Sequence, residues 1–171
     1  MLAWTGAIFL VGAATWAGFE YSRQLDMRPK QIRQLKNALQ ILEAEIVYSQ
    51  TPLQQAFHRI ARQVPEPTAS LFQNLAESLL DQNRNLPDIW CKHVEDHCEV
   101  TALGPNEKEV LVQFGRTLGM HELQQQKKQL LLASSHLERE LEEARSRQDK
   151  YGNMAKMLGF LAGLFILLLF I

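Results

Sequence analysis

The chain has 171 residues, with 18 lysines and arginines against 19 aspartates and glutamates, so its formal net charge is −1. This balance gives no reason to expect a nucleic-acid partner, because proteins that bind nucleic acid neutralise phosphates with clustered basic residues. The length suits one domain of ordinary size, and two cysteines are too few for a disulfide scaffold.

Two runs without any charged side chain stand at the ends of the sequence, residues 1–19 and 157–171. The first is close to the length that a bilayer core requires, and the second is extended by residues 154–155, with Lys156 able to reach the interface. A cleaved signal peptide and a buried soluble helix are the alternatives. Neither is favoured, because no basic residue precedes the first run and both runs are apolar on every side. We predict transmembrane helices at 1–19 and 154–171.

The basic residues near these runs all lie on the side of the middle segment. They are Arg23, Arg28, Lys30, Arg33 and Lys36 after the first run, and Arg145, Arg147, Lys150 and Lys156 around the start of the second. The positive-inside rule then places residues 20–153 in the cytosol and both termini on the other side, as a two-pass membrane protein.

The middle segment reads as six amphipathic helices in chain order. Breaks are indicated by Thr51–Pro52, by two prolines at 65 and 67, by Gly104–Pro105 and by Gly119, and Asn106 with Glu109 resembles a capping pair. Apolar residues recur at steps of three and four between these breaks, and the first stripe also fits a coiled-coil seam. The first, second, third, fifth and sixth helices carry these stripes in turn: Ile32, Leu35, Leu39, Leu42 and Ile46; Leu53, Phe57, Ile60 and Val64; Leu71, Leu75 and Leu79; Val110, Leu111, Phe114 and Leu118; and Leu123, Leu130, Leu137, Leu141 and Ala144. The fourth helix contains the stretch at 90–98.

The fold class predicted from these stripes is all-α. No window alternates in the manner of a strand, and helices that are apolar on one face must bury those faces against each other. We therefore predict a cytosolic bundle of six helices at residues 20–153, in which the long first and last helices run antiparallel as a stalk. On the outer face of the last helix, Glu143 and Arg147 stand at the spacing of a helical ion pair.

The stretch WCKHVEDHC at 90–98 is the one concentration of side chains that could serve chemistry. On a helix, Cys91 and Cys98 share a face but lie about 11 Å apart, too far for a disulfide. We place the cysteines in the core and His93 and His97 in solvent on the opposite side. The rival reading is a metal-binding membrane enzyme or sensor in which His93 and His97 bind zinc with a third ligand from elsewhere. The string lacks the glutamate of the H-E-x-x-H zinc helix, and we predict no catalytic, cofactor or metal site.

Small residues mark the candidate packing and partner positions. Gly159 and Gly163 form a G-x-x-x-G in the second predicted span, a pattern that lets helices pack closely in lipid, within one chain or between copies in a homo-oligomer. In the middle segment, Gly115 interrupts the fifth helix and Gly119 ends it. Close approach of two helices and a docking surface for another protein are both open at this place.

The whole chain resembles the stage III sporulation protein AB family. The likeness rests on the R-Q-L-x-x-A-L stretch that begins at Arg33, T-P-L at 51–53, F-G-x-x-L-G at 114–119 and K-Y-G-x-x-x-K-M-x-G at 150–159. The middle segment is more distantly similar to the inner-membrane platform proteins of type II secretion and type IV pilus machines. Arg116 stands where those platforms carry a glutamate after the glycine.

The resemblance implies a non-enzymatic part of the channel between mother cell and forespore, anchored in the outer forespore membrane with its bundle in the cytosol. The expected partners are the stage III sporulation protein AA ATPase, other channel proteins of the same operon, and membrane lipid. The candidate contact residues would then be Gly115, Arg116, Gly119, Gly159 and Gly163.

Overall fold

The computed structural model describes residues 2–80, 85–119 and 123–169. Within these ranges the chain is entirely helical and contains no strand, which confirms the all-α prediction. The elements are α1 (Leu2–Glu43), a π-helical turn (Ala44–Tyr48), α2 (Leu53–Gln63), α3 (Thr68–Ser78), α4 (Leu86–Glu99), α5 (Pro105–Thr117) and α6 (Leu123–Leu169).

The chain divides into two compact units. Lys30–Glu142 forms one, here called the bundle unit, and Met1–Pro29 with Glu143–Ile171 forms the other, here called the end unit. Among the residues that the structure describes, no helix is both long enough and apolar enough to cross a membrane. The boundaries predicted at residues 19 and 154 stay predictions.

The two long helices continue from one unit into the other. α1 has 42 residues and α6 has 47, and the predicted end segments are not separated from them by any turn. Pro29 lies inside α1 without ending it. A proline in this position removes one backbone hydrogen bond, which kinks or weakens a helix but need not stop it when neighbouring contacts hold the chain.

The core of the bundle unit follows the predicted stripes with four exceptions, of which Leu53 and Val110 are half-buried. All five stripe positions of α1 and the π-helical turn are buried, as are those of α6 from Leu130 onward. The prediction is wrong for Leu123, the first residue of α6, which is 39% exposed. Leu79 is only half-buried, since α3 ends one residue before it.

Two contacts show how α1 and α6 are paired inside the bundle unit. Lys36 of α1 forms an ion pair with Glu138 of α6. Twelve residues further along the chain, Tyr48 lies 6.0 Å from the ammonium of Lys127, which is eleven residues earlier in α6 than Glu138. Residues later in the first segment thus contact residues earlier in α6, so α1 with its π-helical turn runs antiparallel to α6 here, as predicted.

Polar contacts fix the start of α5 and the surface of the end unit. The backbone N–H of Gly104 donates to the buried carboxylate of Glu107 at 2.9 Å, so the capping pair is Gly104 with Glu107. The predicted pair of Asn106 with Glu109 is wrong because Pro105 already begins the helix, and Asn106 instead donates to Glu140 of α6 at 3.2 Å. In the end unit, the predicted pair is confirmed, with Arg147 donating to Glu143 at 2.6 Å.

Candidate functional site

The stretch at 90–98 forms most of α4, and its buried face is the predicted one at Trp90 and Val94 but not at the cysteines and His97. Trp90, Val94 and His97 are buried, whereas Cys91 and Cys98 are half-buried. Steps of four and three residues join the three buried side chains, which is the spacing of one helix face. The prediction that both histidines lie in solvent is therefore wrong for His97, which replaces the cysteines at the centre of the buried face.

The two histidines have different surroundings. Nε2 of His93 lies 2.7 Å from the hydroxyl of Ser78 at the end of α3. His97 is only 6% exposed, and its Nε2 has no hydrogen-bond partner among the residues that the structure describes. Burial lowers the pKa of His97 from its ordinary value, because the charged imidazolium would lose its hydration, while the negative charge of Glu66 acts in the opposite direction. His97 is thus a core residue whose burial favours the neutral imidazole.

The described residues give no geometric support to the metal-centre reading. No three side chains of the types His, Cys, Asp and Glu gather in these ranges where they could share one ion. Burial raises the pKa of Cys98 to about 11, so this thiol is protonated at neutral pH. A protonated thiol is a poor metal ligand and a poor nucleophile. The chemistry-bearing residues of α4 are arranged for packing.

Trp90 is the contact centre of the bundle unit. Its indole ring lies 5.8 Å from the ring of Phe57, 6.1 Å from that of Phe72 and 5.3 Å from that of Phe114, measured between centroids. Its Nε1–H donates to the backbone oxygen of Leu111 at 2.8 Å, which satisfies its one polar group. A single side chain thereby joins α4 to α2, α3 and α5.

The predicted candidates of α5 lie next to this centre. Gly115 is buried, and a Cβ placed on it would meet Cδ1 of Trp90 at 1.9 Å, so α4 and α5 approach closely only because this residue has no side chain. Gly119 has a φ of +77°, which lies in the left-handed region that glycine adopts without strain. Arg116, between them, points into solvent. The structure thus shows close helix approach at Gly115, and a docking role for Arg116 stays a prediction.

Comparison with known proteins decides the family. The sequence model of the family stage III sporulation protein AB matches residues 3–171. The chain belongs to this family. It is 43% identical to the stage III sporulation protein AB of Bacillus subtilis (strain 168) over 169 residues, which is 99% of each chain. The resemblance drawn from the sequence is confirmed.

A solved structure of stage III sporulation protein AB shares the fold. It superimposes with a TM-score of 0.69 at 40% identity, covering 72% of this chain and 98% of the solved one. At this identity, the likeness supports the helical arrangement described above as the fold of the family. The two remaining candidates, Gly159 and Gly163, belong to α6, and what packs against them lies outside the described side chains.

Sequence reasoning missed one surface of this family member. Leu131 is 51% exposed, and it lies on one face of α6 with Leu123 and Lys127, at steps of four residues. Tyr48 of the π-helical turn is 75% exposed beside Lys127. The signal was available in the run of leucines at 130–132, because three consecutive apolar residues on a helix cannot all face one core.

Proposed function

We propose that this protein is a non-enzymatic, membrane-anchored platform of the channel between mother cell and forespore in endospore formation. It couples a cytosolic ATPase, stage III sporulation protein AA, to the channel parts in the membrane. A sporulation role follows from membership of the family. The platform role is supported by the two long helices, each of which supplies part of the bundle core and also carries an uncharged terminal run.

The continuity of α1 and α6 is the observation that carries this proposal. At 1.5 Å per residue, helices of 42 and 47 residues are about 63 and 70 Å long, about twice the thickness of a bilayer core. In the bundle unit, α1 is held in the core by Ile32, Leu35 and Leu39, which are all buried. A force on the bundle would therefore act directly on α1, because this helix is part of the core.

The anchoring part of the proposal rests on the sequence. Residues 1–19 and 154–171 would cross the outer forespore membrane, with the bundle in the cytosol and with lipid as a contact of both ends. The full-length chain should then stay in the membrane pellet after alkaline extraction. Single cysteines placed at residue 2 and after residue 171 in a cysteine-free chain should be labelled only from outside, and one at residue 106 only from the cytosolic side. Release into the supernatant would contradict the anchors, and the reverse labelling would contradict the orientation.

The coupling part is tested by binding to the ATPase. Full-length chain in detergent, or in lipid nanodiscs, should retain purified stage III sporulation protein AA on an affinity resin. The matched negative control is the same resin carrying an unrelated two-pass membrane protein. Equal retention on both resins, or none on either at micromolar concentrations, would contradict the coupling while leaving the sporulation role intact.

A further inference from the structure

A polar groove runs along α1 within the bundle unit. Its volume is about 530 Å³, and Pro65 of the turn between α2 and α3 forms its opposite wall. The side chains that line it from α1 are Lys30, Arg33, Gln34, Lys36, Asn37 and Gln40. Three of these six are cations and three are amides, so the polar ends of the lining side chains offer hydrogen-bond donors and positive charge.

Some of the groove's polar groups are already engaged. Lys36 is ion-paired with Glu138, and the amide of Gln34 both donates to the backbone oxygen of Glu66 at 3.3 Å and accepts from Thr68 at 3.2 Å. The carboxylate of Glu66 is held in turn by Ser70, whose hydroxyl donates to it at 2.6 Å. Glu138 and Glu66, the two acids beside the groove, therefore already have other partners.

Two cations of the groove remain available. Lys30 and Arg33 are exposed, and neither makes a hydrogen bond or an ion pair with any residue that the structure describes. They are three residues apart, so both extend from the same face of α1. Asn37 and Gln40 continue that face toward the C-terminal end of the groove, also exposed and without a hydrogen bond in the described ranges. The free part of the groove would complement carboxylates at one end and backbone carbonyls at the other.

The amides of the groove favour a protein over lipid. Asn37 and Gln40 lie on the same face as the two cations, and each side-chain amide can both donate and accept hydrogen bonds. A peptide segment offers backbone carbonyl and N–H groups beside its carboxylates, whereas an anionic lipid headgroup complements only the cations. An acidic peptide segment therefore matches the whole of this face.

We propose that the α1 groove binds an acidic segment of a cytosolic partner protein, with two carboxylates of that segment paired with Lys30 and Arg33. This inference rests on the proposed function, because it names the chemistry by which a cytosolic partner would hold the platform. Asn37 and Gln40 donate to carbonyl groups of the same segment. The guanidinium of Arg33 provides a fork that a carboxylate can engage with two hydrogen bonds, which gives the contact direction as well as charge.

The test measures binding of fluorescent hexaglutamate to the full-length chain in nanodiscs of zwitterionic lipid. The groove variant is Lys30→Gln with Arg33→Gln. The matched control is Arg62→Gln with Lys92→Gln, which removes the same charge from two exposed cations outside the groove. We expect the groove variant to weaken hexaglutamate binding about fivefold or more, since exposed ion pairs are individually modest, and the control to leave it within about twofold. Hexaglutamine should bind neither protein.

Three results would overturn the inference. Equal weakening by the groove and control variants would mean that only overall charge attracts the peptide. Capture of phosphatidylglycerol vesicles that depends on Lys30 and Arg33, without hexaglutamate binding, would assign the groove to lipid. A change of oligomeric state in the groove variant alone would assign it to a second copy of this chain. None of these outcomes bears on whether the ATPase is retained by the protein, so the two proposals fail separately.

Discussion

Replacing Gly115 with alanine tests the packing centre of the bundle unit. In an ordinary helix interior this change stabilises, by about 1 kcal/mol. Here the added methyl group would lie 1.9 Å from Cδ1 of Trp90 and 2.5 Å from its Cγ and Nε1. Ordinary van der Waals contact begins near 3.4 Å, so the indole or the backbone of α5 would have to move by 3.4 − 1.9 = 1.5 Å. We therefore expect the reverse of the usual sign.

The size of the effect follows from how tightly Trp90 is held. The ring is fully buried, its Nε1–H is bonded to Leu111 at 2.8 Å, and three aromatic rings surround it. Overpacking a rigid core costs about 1–3 kcal/mol, and loss of the indole hydrogen bond would add about 1 kcal/mol. After subtraction of the helix-propensity gain, the free energy of unfolding should fall by about 1–3 kcal/mol. For a chain of this length, that lowers Tm by about 2–12 °C.

The assay is thermal and urea unfolding of the full-length chain, followed by circular dichroism. Arg116→Ala is the matched control, because it changes the next residue of the same helix, which is exposed, and should stay within about 0.5 kcal/mol of wild type. Trp90→Phe in the Gly115→Ala background provides a second test. The smaller ring makes room for the methyl group, so the two changes should couple favourably by about 1 kcal/mol. A Gly115→Ala variant as stable as wild type, or strict additivity in the double-mutant cycle, would refute this account of the α4–α5 contact.

Four further outcomes are expected. Gly119→Ala should lower the free energy of unfolding by about 1–2 kcal/mol in urea titrations, because the φ of +77° is unfavourable for any residue with a Cβ, and an unchanged midpoint would count against it. For His97, the folded-state pKa lies below the ordinary 6.5, so the unfolded chain takes up the proton first. Stability is then complete above about pH 6.5 and falls as the pH is lowered toward the folded-state pKa, and His97→Leu should flatten that slope in urea titrations at several pH values. In a Cys91→Ser background, Cys98 should react with iodoacetamide about a hundredfold more slowly than the denatured chain at pH 8, since its pKa is raised to about 11 from 9.0; equal rates would show an accessible thiolate. Metal analysis of the purified full-length chain should find no stoichiometric zinc, and zinc that is lost on His93→Ala with His97→Ala would revive the metal-centre hypothesis.

The predictable part of this fold is the part that depends on local spacing. In α1, apolar residues at steps of three and four could belong to only one face, so Ile32, Leu35 and Leu39 were correctly placed in the core. In α4, spacing places Trp90, Val94 and His97 on one face, whereas the prediction buried Cys91 and Cys98 beside Trp90 and Val94 and exposed His97. A histidine is usually partly exposed and a free cysteine is usually buried, and these general preferences pointed to the wrong face.

The remaining features depend on contacts between distant parts of the sequence. A glycine is needed at position 115 because Trp90, which is 25 residues earlier, occupies the space of a side chain, and no local sequence pattern predicts that contact. Lys36 and Lys30 are equivalent in sequence terms, since both are lysines on the exposed side of one helix. They differ because Glu138, on the last helix, pairs with Lys36 and leaves Lys30 available. Which cations of a helix can bind a partner is therefore a tertiary property.

The two faces of α1 bear directly on how a platform could transmit force. One face, with Ile32 and Leu35 at its centre, is locked into the core, and the groove face carries Lys30 and Arg33 on the same turns of helix. An acidic partner held at the groove would thus act on a helix that is clamped along its other side and that continues without a turn to Leu2. A loop in the same position would instead rearrange locally when the partner moved. Because the groove and the buried face belong to the same stretch of α1, a partner bound at this groove would act directly on a helix of the bundle core.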